Sequence, residues 1–144
     1  MSGEKGSTYA NSLLALIFQG TAITGLAMNT TTSPLTSLYV SLHTADPTAS
    51  GNQTSSESAY TGYARVAVAR SSGGFTLTSN SVSPASTISF PACTGGTSTV
   101  TYFAIGTAAS GTGEVLYAGP VSPTISVSNG VTPQLTTATA VTES

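Results

Sequence analysis

Residues 38–47 of this chain, LYVSLHTADP, combine a strand pattern with a stop signal. Leu38, Val40 and Leu42 alternate with other residues at the period of two that is typical of a half-buried β-strand. His43 falls on the opposite face, which we expect to lie near the surface. Pro47 ends the strand because proline has no amide hydrogen for a β-ladder. The segment therefore predicts a strand that runs into a loop.

Further strand patterns follow this segment to the end of the chain, separated by Gly, Pro and Asn turn residues. They cover residues 60–70, 75–78, 87–90, 99–106, 114–119, 124–128 and 131–141. About eight or nine short strands predict a mainly β fold, an antiparallel β-sandwich that is jelly-roll-like, as a single domain over residues 36–142. The long polar segment 44–58 is interpreted as a contact loop, because loops of this length are uncommon inside compact domains.

One short N-terminal helix precedes the strands. Ser7 or Thr8 is a suitable N-cap, and Gly20 is a suitable C-terminal stop. Residues 1–20 are therefore predicted to form an N-terminal arm and a short helix. Its predicted apolar face comprises Tyr9, Leu13, Leu16 and Ile17, with Leu14 and Phe18 alongside.

Charged residues make up only 6% of the chain, three Lys and Arg against five Asp and Glu, where about 25% is usual. Three cations cannot neutralise many phosphates, so we expect no nucleic-acid partner. A surface with so few charges is weakly protected against association, so we expect a homo-oligomer. The longest apolar run, residues 13–18, is too short for a membrane span. A signal-peptide pattern is also absent, which predicts synthesis in the host cytoplasm.

The residues that could carry chemistry are too few and too scattered for a catalytic or metal site. His43 is the only histidine and Cys93 the only cysteine, whereas a zinc site needs three or four protein ligands. The G-x-S-x-G elbow of a serine hydrolase is absent. Asp46 and Glu57 lack the dense ligand spacing of calcium loops. We therefore expect no catalytic residue, no metal and no cofactor.

Four charged residues are the candidates for an interface with another protein. They are Asp46, Glu57, Arg65 and Arg70. A guanidinium is expected to pair with an acid of this chain or of a neighbour, and Glu57 and Glu114 are the acids proposed for this pairing.

Six segments in order along the chain resemble a family of small structural proteins of tailed-bacteriophage virions. They read LLAL, LYVSLHTADP, YTGYARVAV, ISFPACTGG, VTYFAIG and VLYAG, and the resemblance runs over residues 9–141. Members are often described as phage tail-fibre or structural proteins. The resemblance implies a virion location and carries over no catalytic residue.

The sequence leads to three hypotheses about function. The first is a capsid decoration or cement protein, whose partner is the major capsid protein and which stabilises the mature shell by binding across capsomers. The alternative is a tail or tail-fibre component. A further alternative is a carbohydrate-binding module, which would require Tyr60, Tyr63 or Tyr102 to be exposed in a groove.

Overall fold

A computed structural model of the protein describes residues 3–29 and 33–143. Within these residues the chain forms one helix and nine strands, so the mainly β fold with one short helix is confirmed. The elements are α1 (Ser7–Gln19), β1 (Ser37–His43), β2 (Val66–Ala69), β3 (Phe75–Thr78), β4 (Ser81–Pro84), β5 (Ile88–Ser89), β6 (Ser98–Gly106), β7 (Val115–Val127), β8 (Gln134–Leu135) and β9 (Val141–Thr142). None of the helical structure in the described ranges is long and apolar enough to cross a membrane.

The helix ends where the sequence predicts and begins one residue earlier than predicted. Gly20 closes α1 with a left-handed φ of 69°, a conformation that glycine adopts without a Cβ penalty. The N-cap is Gly6, and no side chain caps the first turn, so the prediction of a Ser7 or Thr8 cap is wrong. The fully buried positions of the helix lie four residues apart, at Ala10, Leu14 and Phe18. Leu14 and Phe18 were expected alongside the apolar face, whereas Leu13, Leu16 and Ile17, expected at its centre, are only half-buried, and Tyr9 is exposed.

The main sheet contains four antiparallel strands in the order β2-β1-β6-β7. Val40 of β1 lies opposite Val66 on one side and Ile105 on the other. Because β1 and β6 are the inner strands, their side chains reach the centre of the core. Val100 and Leu42 are fully buried there.

Two smaller antiparallel sheets, β3-β4-β9 and β5-β8, form the opposing layer. Val40 and Phe103 of the main sheet line a small internal cavity together with Phe75, Val82 and Leu135 of the smaller sheets. The shared cavity shows that the layers face each other, as in a sandwich. One apolar cluster joins α1 to both layers.

The second half of the chain departs from the predicted strands in two places. Residues 131–141 were predicted as one long strand, but only β8 and β9 pair within that region. Conversely, β7 continues through Pro120 and Pro123, where a bend was predicted. Proline is tolerated because β7 lies at the sheet edge, where an amide hydrogen is not needed on the outer side.

Candidate functional site

His43, at the end of β1, is fully buried, so the prediction of a near-surface position is wrong. The loop that follows β1 folds back over it. The Nδ1–H of His43 donates to the carbonyl of Ser55 at 2.8 Å, and Nε2 therefore accepts from the Ser41 hydroxyl, also at 2.8 Å. Desolvation lowers the pKa of His43 below its ordinary value of 6.5. Because Ser41 is also fully buried, this pair fixes the loop and presents no nucleophile to a substrate.

Glu57 and Arg65 form an ion pair inside the chain, which confirms the predicted pairing of Arg65 with an acid. Arg65 Nε lies 2.7 Å from Glu57 Oε1, and Nη2 lies 2.8 Å from Oε2. The same guanidinium donates to the carbonyls of Ala108 and Gly111. The Arg65 side chain is only 2% exposed, and its bonds to Glu57 raise its pKa. The pair therefore ties the 44–58 loop to the loop between β6 and β7.

Tyr63 extends this network towards β1. Its hydroxyl donates to Glu57 Oε1 at 2.9 Å and accepts from the amide of Leu42 at 3.1 Å. Burial raises the pKa of Tyr63, so the hydroxyl stays protonated and keeps its role as donor.

Asp46 is exposed at the start of the 44–58 loop. Its Oδ1 accepts from the amide of Thr48 at 2.9 Å and from the Thr48 hydroxyl at 2.7 Å. These bonds lower the pKa of Asp46. Its local role is to close a turn, and its use at an interface stays a prediction.

Arg70 bonds to no acid and instead binds the end of the helix. Its Nε and Nη2 donate to the carbonyls of Ile17 and Leu16, each at 2.6 Å. Its Nη1 donates to Asn29 Oδ1 at 2.7 Å and to the carbonyl of Leu35 at 3.2 Å. A cation is favourable at a helix C-terminus because the last carbonyls have no intrahelical partner. Arg70 therefore joins both ends of the connection between α1 and β1.

All three cations of the chain are thus engaged internally. The third, Lys5, lies 2.6 Å from Glu143 Oε1. The exposed charged residues in the described ranges are Glu4, Lys5, Asp46 and Glu114, and Lys5 is the one cation among them. The accessible surface is accordingly almost uncharged and slightly acidic.

Large exposed hydrophobic side chains occur in one part of the described sequence, between residues 9 and 35. They are Tyr9, Leu26, Met28 and Leu35. Leu26 and Met28 are the most exposed, at 76% and 69%. The sequence signal for Leu26 and Met28 is two large apolar residues within a Thr-rich segment that carries no charge.

A broad groove lies along β7, an edge strand of the main sheet. It runs between residues 119–126 of β7 and residues 134–140. We call it the β7 groove; its volume is about 710 Å³. Its lining contains no charged residue, and it includes Val121, Pro123 and Ile125 beside Ser and Thr hydroxyls. Part of it opens where residues 121–124 bulge from the pairing with β6.

The tyrosines proposed for glycan binding do not form an exposed aromatic surface. Tyr60 is 3% exposed, and its hydroxyl donates to the carbonyl of Pro91. Tyr63 is bound to Glu57, and Tyr102 is half-buried on β6. In residues 3–29 and 33–143, no group of three or more His, Cys, Asp and Glu side chains is placed to hold a metal ion.

No curated protein matches the chain significantly. The family described as "Podophage GP4 fiber I protein gp80" matches residues 6–142, which is nearly the whole chain. This match confirms the resemblance seen in the sequence segments. The chain therefore belongs to this family of structural proteins of the phage virion.

Proposed function

We propose that this protein is a non-enzymatic subunit of a virion fibre. The observation that carries the proposal is the family match over residues 6–142, since the family description names a fibre protein. The match spans the helix and all nine strands, so it supports a role for the whole fold. The proposal assigns no catalytic residue.

The distribution of charge supports a role in assembly. The cations Lys5, Arg65 and Arg70 are each bound within the chain, so few are left to attract nucleic acid. The surface that remains is rich in Ser and Thr hydroxyls and carries exposed apolar side chains in one region. Such a surface can be buried against a protein neighbour without desolvating many charges.

The capsid decoration role, with the major capsid protein as partner, is the second candidate. It is favoured by the shape of the fold, because the described residues contain neither a long helix nor repeated strand units, the elements from which extended shafts are built. A compact sandwich of this kind could equally sit at a capsomer boundary and stabilise the mature shell by binding it preferentially.

Quantification of the protein in purified virions separates these two functions. A fibre subunit is expected in a small number of copies set by the symmetry of the tail, whereas a decoration protein is expected in many copies spread over the shell. Immunogold labelling with an antibody against this chain should mark the fibres in the first case and the head in the second. Absence of the chain from purified virions would contradict both.

A further inference from the structure

The turn that follows β7 contains the one Asn-Gly pair of the chain, Asn129 and Gly130. Both residues are exposed. Gly130 has a left-handed φ of 89°, and a Cβ at this position would meet no atom within 4 Å. Asn-Gly is a common turn sequence, and it is also the asparagine pair most reactive towards deamidation.

Deamidation begins when the main-chain nitrogen after an asparagine attacks the side-chain carbonyl carbon. Here the nitrogen of Gly130 loses its proton and bonds to Cγ of Asn129, while the Cγ–Nδ2 bond breaks and ammonia leaves. A water molecule then opens the resulting succinimide ring, which gives aspartate or isoaspartate. Glycine is the most favourable second residue because it has no Cβ to obstruct the nitrogen. The other four asparagines are followed by residues that carry a Cβ: Ser12, Thr30, Gln53 and Ser81.

The attacking nitrogen is held by a hydrogen bond in the folded chain. The amide of Gly130 donates to the carbonyl of Cys93 at 2.8 Å, and Cys93 is 1% exposed. The amide of Val131 also donates to the carbonyl of Ser128 at 2.9 Å, and the amide of Cys93 donates to the carbonyl of Val131 at 2.8 Å. The first bond keeps the proton on the Gly130 nitrogen, and the other two hinder the main-chain rotation that ring closure requires.

We propose that Asn129 is a site of spontaneous deamidation and that the hydrogen bond from Gly130 to Cys93 controls its rate. The closed turn is the protected state, and the reaction proceeds from an open state in which this bond is broken. Local opening suffices, because residues 128–130 are exposed and bury no side chain. The inference goes beyond the proposed function and does not depend on it, because it names a chemical modification of the chain.

The modification changes a surface that carries few charges. Either product adds one negative charge to a chain whose formal net charge is −2. Isoaspartate also places an extra carbon in the main chain, which alters the spacing that the Gly130–Cys93 and Val131–Ser128 bonds require. An aged copy of the protein therefore differs from a new one in charge and in the backbone of this turn.

Mass spectrometry of aged protein measures the reaction at this residue. Cleavage after Glu114 and Glu143 gives the fragment 115–143, whose one asparagine is Asn129. The folded protein, the protein unfolded in guanidinium chloride and a synthetic peptide of residues 124–134 are incubated in mildly alkaline buffer. We expect Asn129 to deamidate in all three, at least about 10-fold more slowly in the folded protein, since only the open fraction reacts there. Equal rates in the folded protein and the peptide, or no reaction in the peptide, would overturn the proposal.

Low concentrations of denaturant separate control by this hydrogen bond from the general rigidity of the fold. Below the unfolding transition, the exchange rate of the Gly130 amide hydrogen, followed by NMR, reports how often the bond opens. The deamidation rate should rise by the same factor as this exchange rate. A deamidation rate that does not follow Gly130 exchange, or a reaction that begins only when the whole chain unfolds, contradicts control by the bond.

Asn129→Gln is the matched control, because it keeps an amide on the same turn but requires a larger ring that forms less readily. The 115–143 fragment of this variant should stay unmodified while that of the unaltered protein reacts. An equal mass gain in both would place the reaction at Gln134, the other amide side chain of the fragment, and would remove the assignment to Asn129.

Discussion

At the scale of single residues, buried polar side chains hold the 44–58 loop against the sheet. Gln53 is fully buried, and it donates to the carbonyl of Tyr39 at 3.3 Å and accepts from the amide of Ala108 at 3.0 Å. A Cβ at Gly106 or Gly113 would collide with this amide. The loop is therefore locked at its middle by Gln53 and at its end by Glu57, which explains why so polar a segment folds inward.

His43 should make the stability of the protein depend on pH. Its folded pKa is lowered by burial, with the carboxylate of Glu57 opposing this shift and the guanidinium of Arg65 adding to it. The unfolded chain therefore binds more protons below pH 6.5, and the free energy of unfolding falls as the pH drops from 6.5 towards the lowered pKa. Urea denaturation at pH values well above 4.5, the ordinary pKa of Glu, measures this effect where the acids are almost fully ionised.

The control for that measurement is His43→Gln, which removes the only titrating histidine. Its free energy of unfolding should be lower than that of the unaltered protein at neutral pH and flat across the same interval. The same slope in both proteins would show that His43 does not cause the dependence.

Glu57→Gln should destabilise the fold by about 3 kcal/mol, because it leaves a buried guanidinium without its counter-ion. The Arg65 side chain is 2% exposed and cannot turn to water in place. Glu114→Gln is the matched control, since Glu114 is exposed; its effect should stay within about 0.5 kcal/mol. Chemical denaturation of both variants checks the difference, and equal values would contradict the assigned role of the pair.

At the scale of elements, β1 and β6 organise the molecule. The Cα partners of β1 run from Ser37 opposite Ala69 on β2 to His43 opposite Tyr102 on β6. Because β1 is paired on both edges and the 44–58 loop covers its C-terminal end, residues 40–43 are all buried. This strand tolerates neither a charge nor a loss of register.

Val40→Asp should prevent folding. The residue is 2% exposed, and an unpaired buried carboxylate costs several kcal/mol, comparable with a domain's whole stability of roughly 5 to 15 kcal/mol. Ala67→Asp, on the neighbouring strand at an exposed position, should leave a folded protein. Circular dichroism and thermal unfolding distinguish the two, and a cooperative transition for Val40→Asp would refute its place in the core.

At the scale of the whole molecule, the helix and the sheets share one core. Phe18 lies edge-on to Phe75 of β3, with ring centroids 4.9 Å apart, and contacts Tyr117 of β7 at 5.6 Å. Leu14 is also fully buried. The helix therefore contributes to the same apolar cluster as both layers, and we expect α1 and the sheets to unfold together.

Removal of residues 1–20 should cause aggregation, because it uncovers Phe75 and the surface under Leu14 and Phe18. Light scattering and size-exclusion chromatography of the truncated chain measure this. Removal of residues 1–5 is the control; among the described contacts it breaks the partly exposed Lys5–Glu143 pair, which is expected to contribute about 1 kcal/mol or less. A soluble, folded product from the longer truncation would show that residues 36–142 form a domain that does not need the helix.

The sequence by itself determined the elements whose signals are local. Alternation predicted β1, a turn followed by a short run predicted β3, an apolar run predicted β6, and Gly20 predicted the end of α1. These features depend on neighbours in the chain, whose spacing the sequence displays directly. A pairing of an arginine with Glu57 or Glu114 was also predicted, because the chain has so few charges to combine, and the structure shows that the pair is Arg65 with Glu57.

Only the tertiary structure decided which surfaces are buried. His43 was expected near the surface, yet a loop of fifteen residues closes over it. Residues 131–141 alternate like a strand, but within them only the short strands β8 and β9 pair. Arg70 was expected to pair with an acid. It donates to the carbonyls of Ile17 and Leu16 instead, because the end of α1 lies beside it. Burial, pairing and capping depend on segments distant in the chain, so no local pattern carries them.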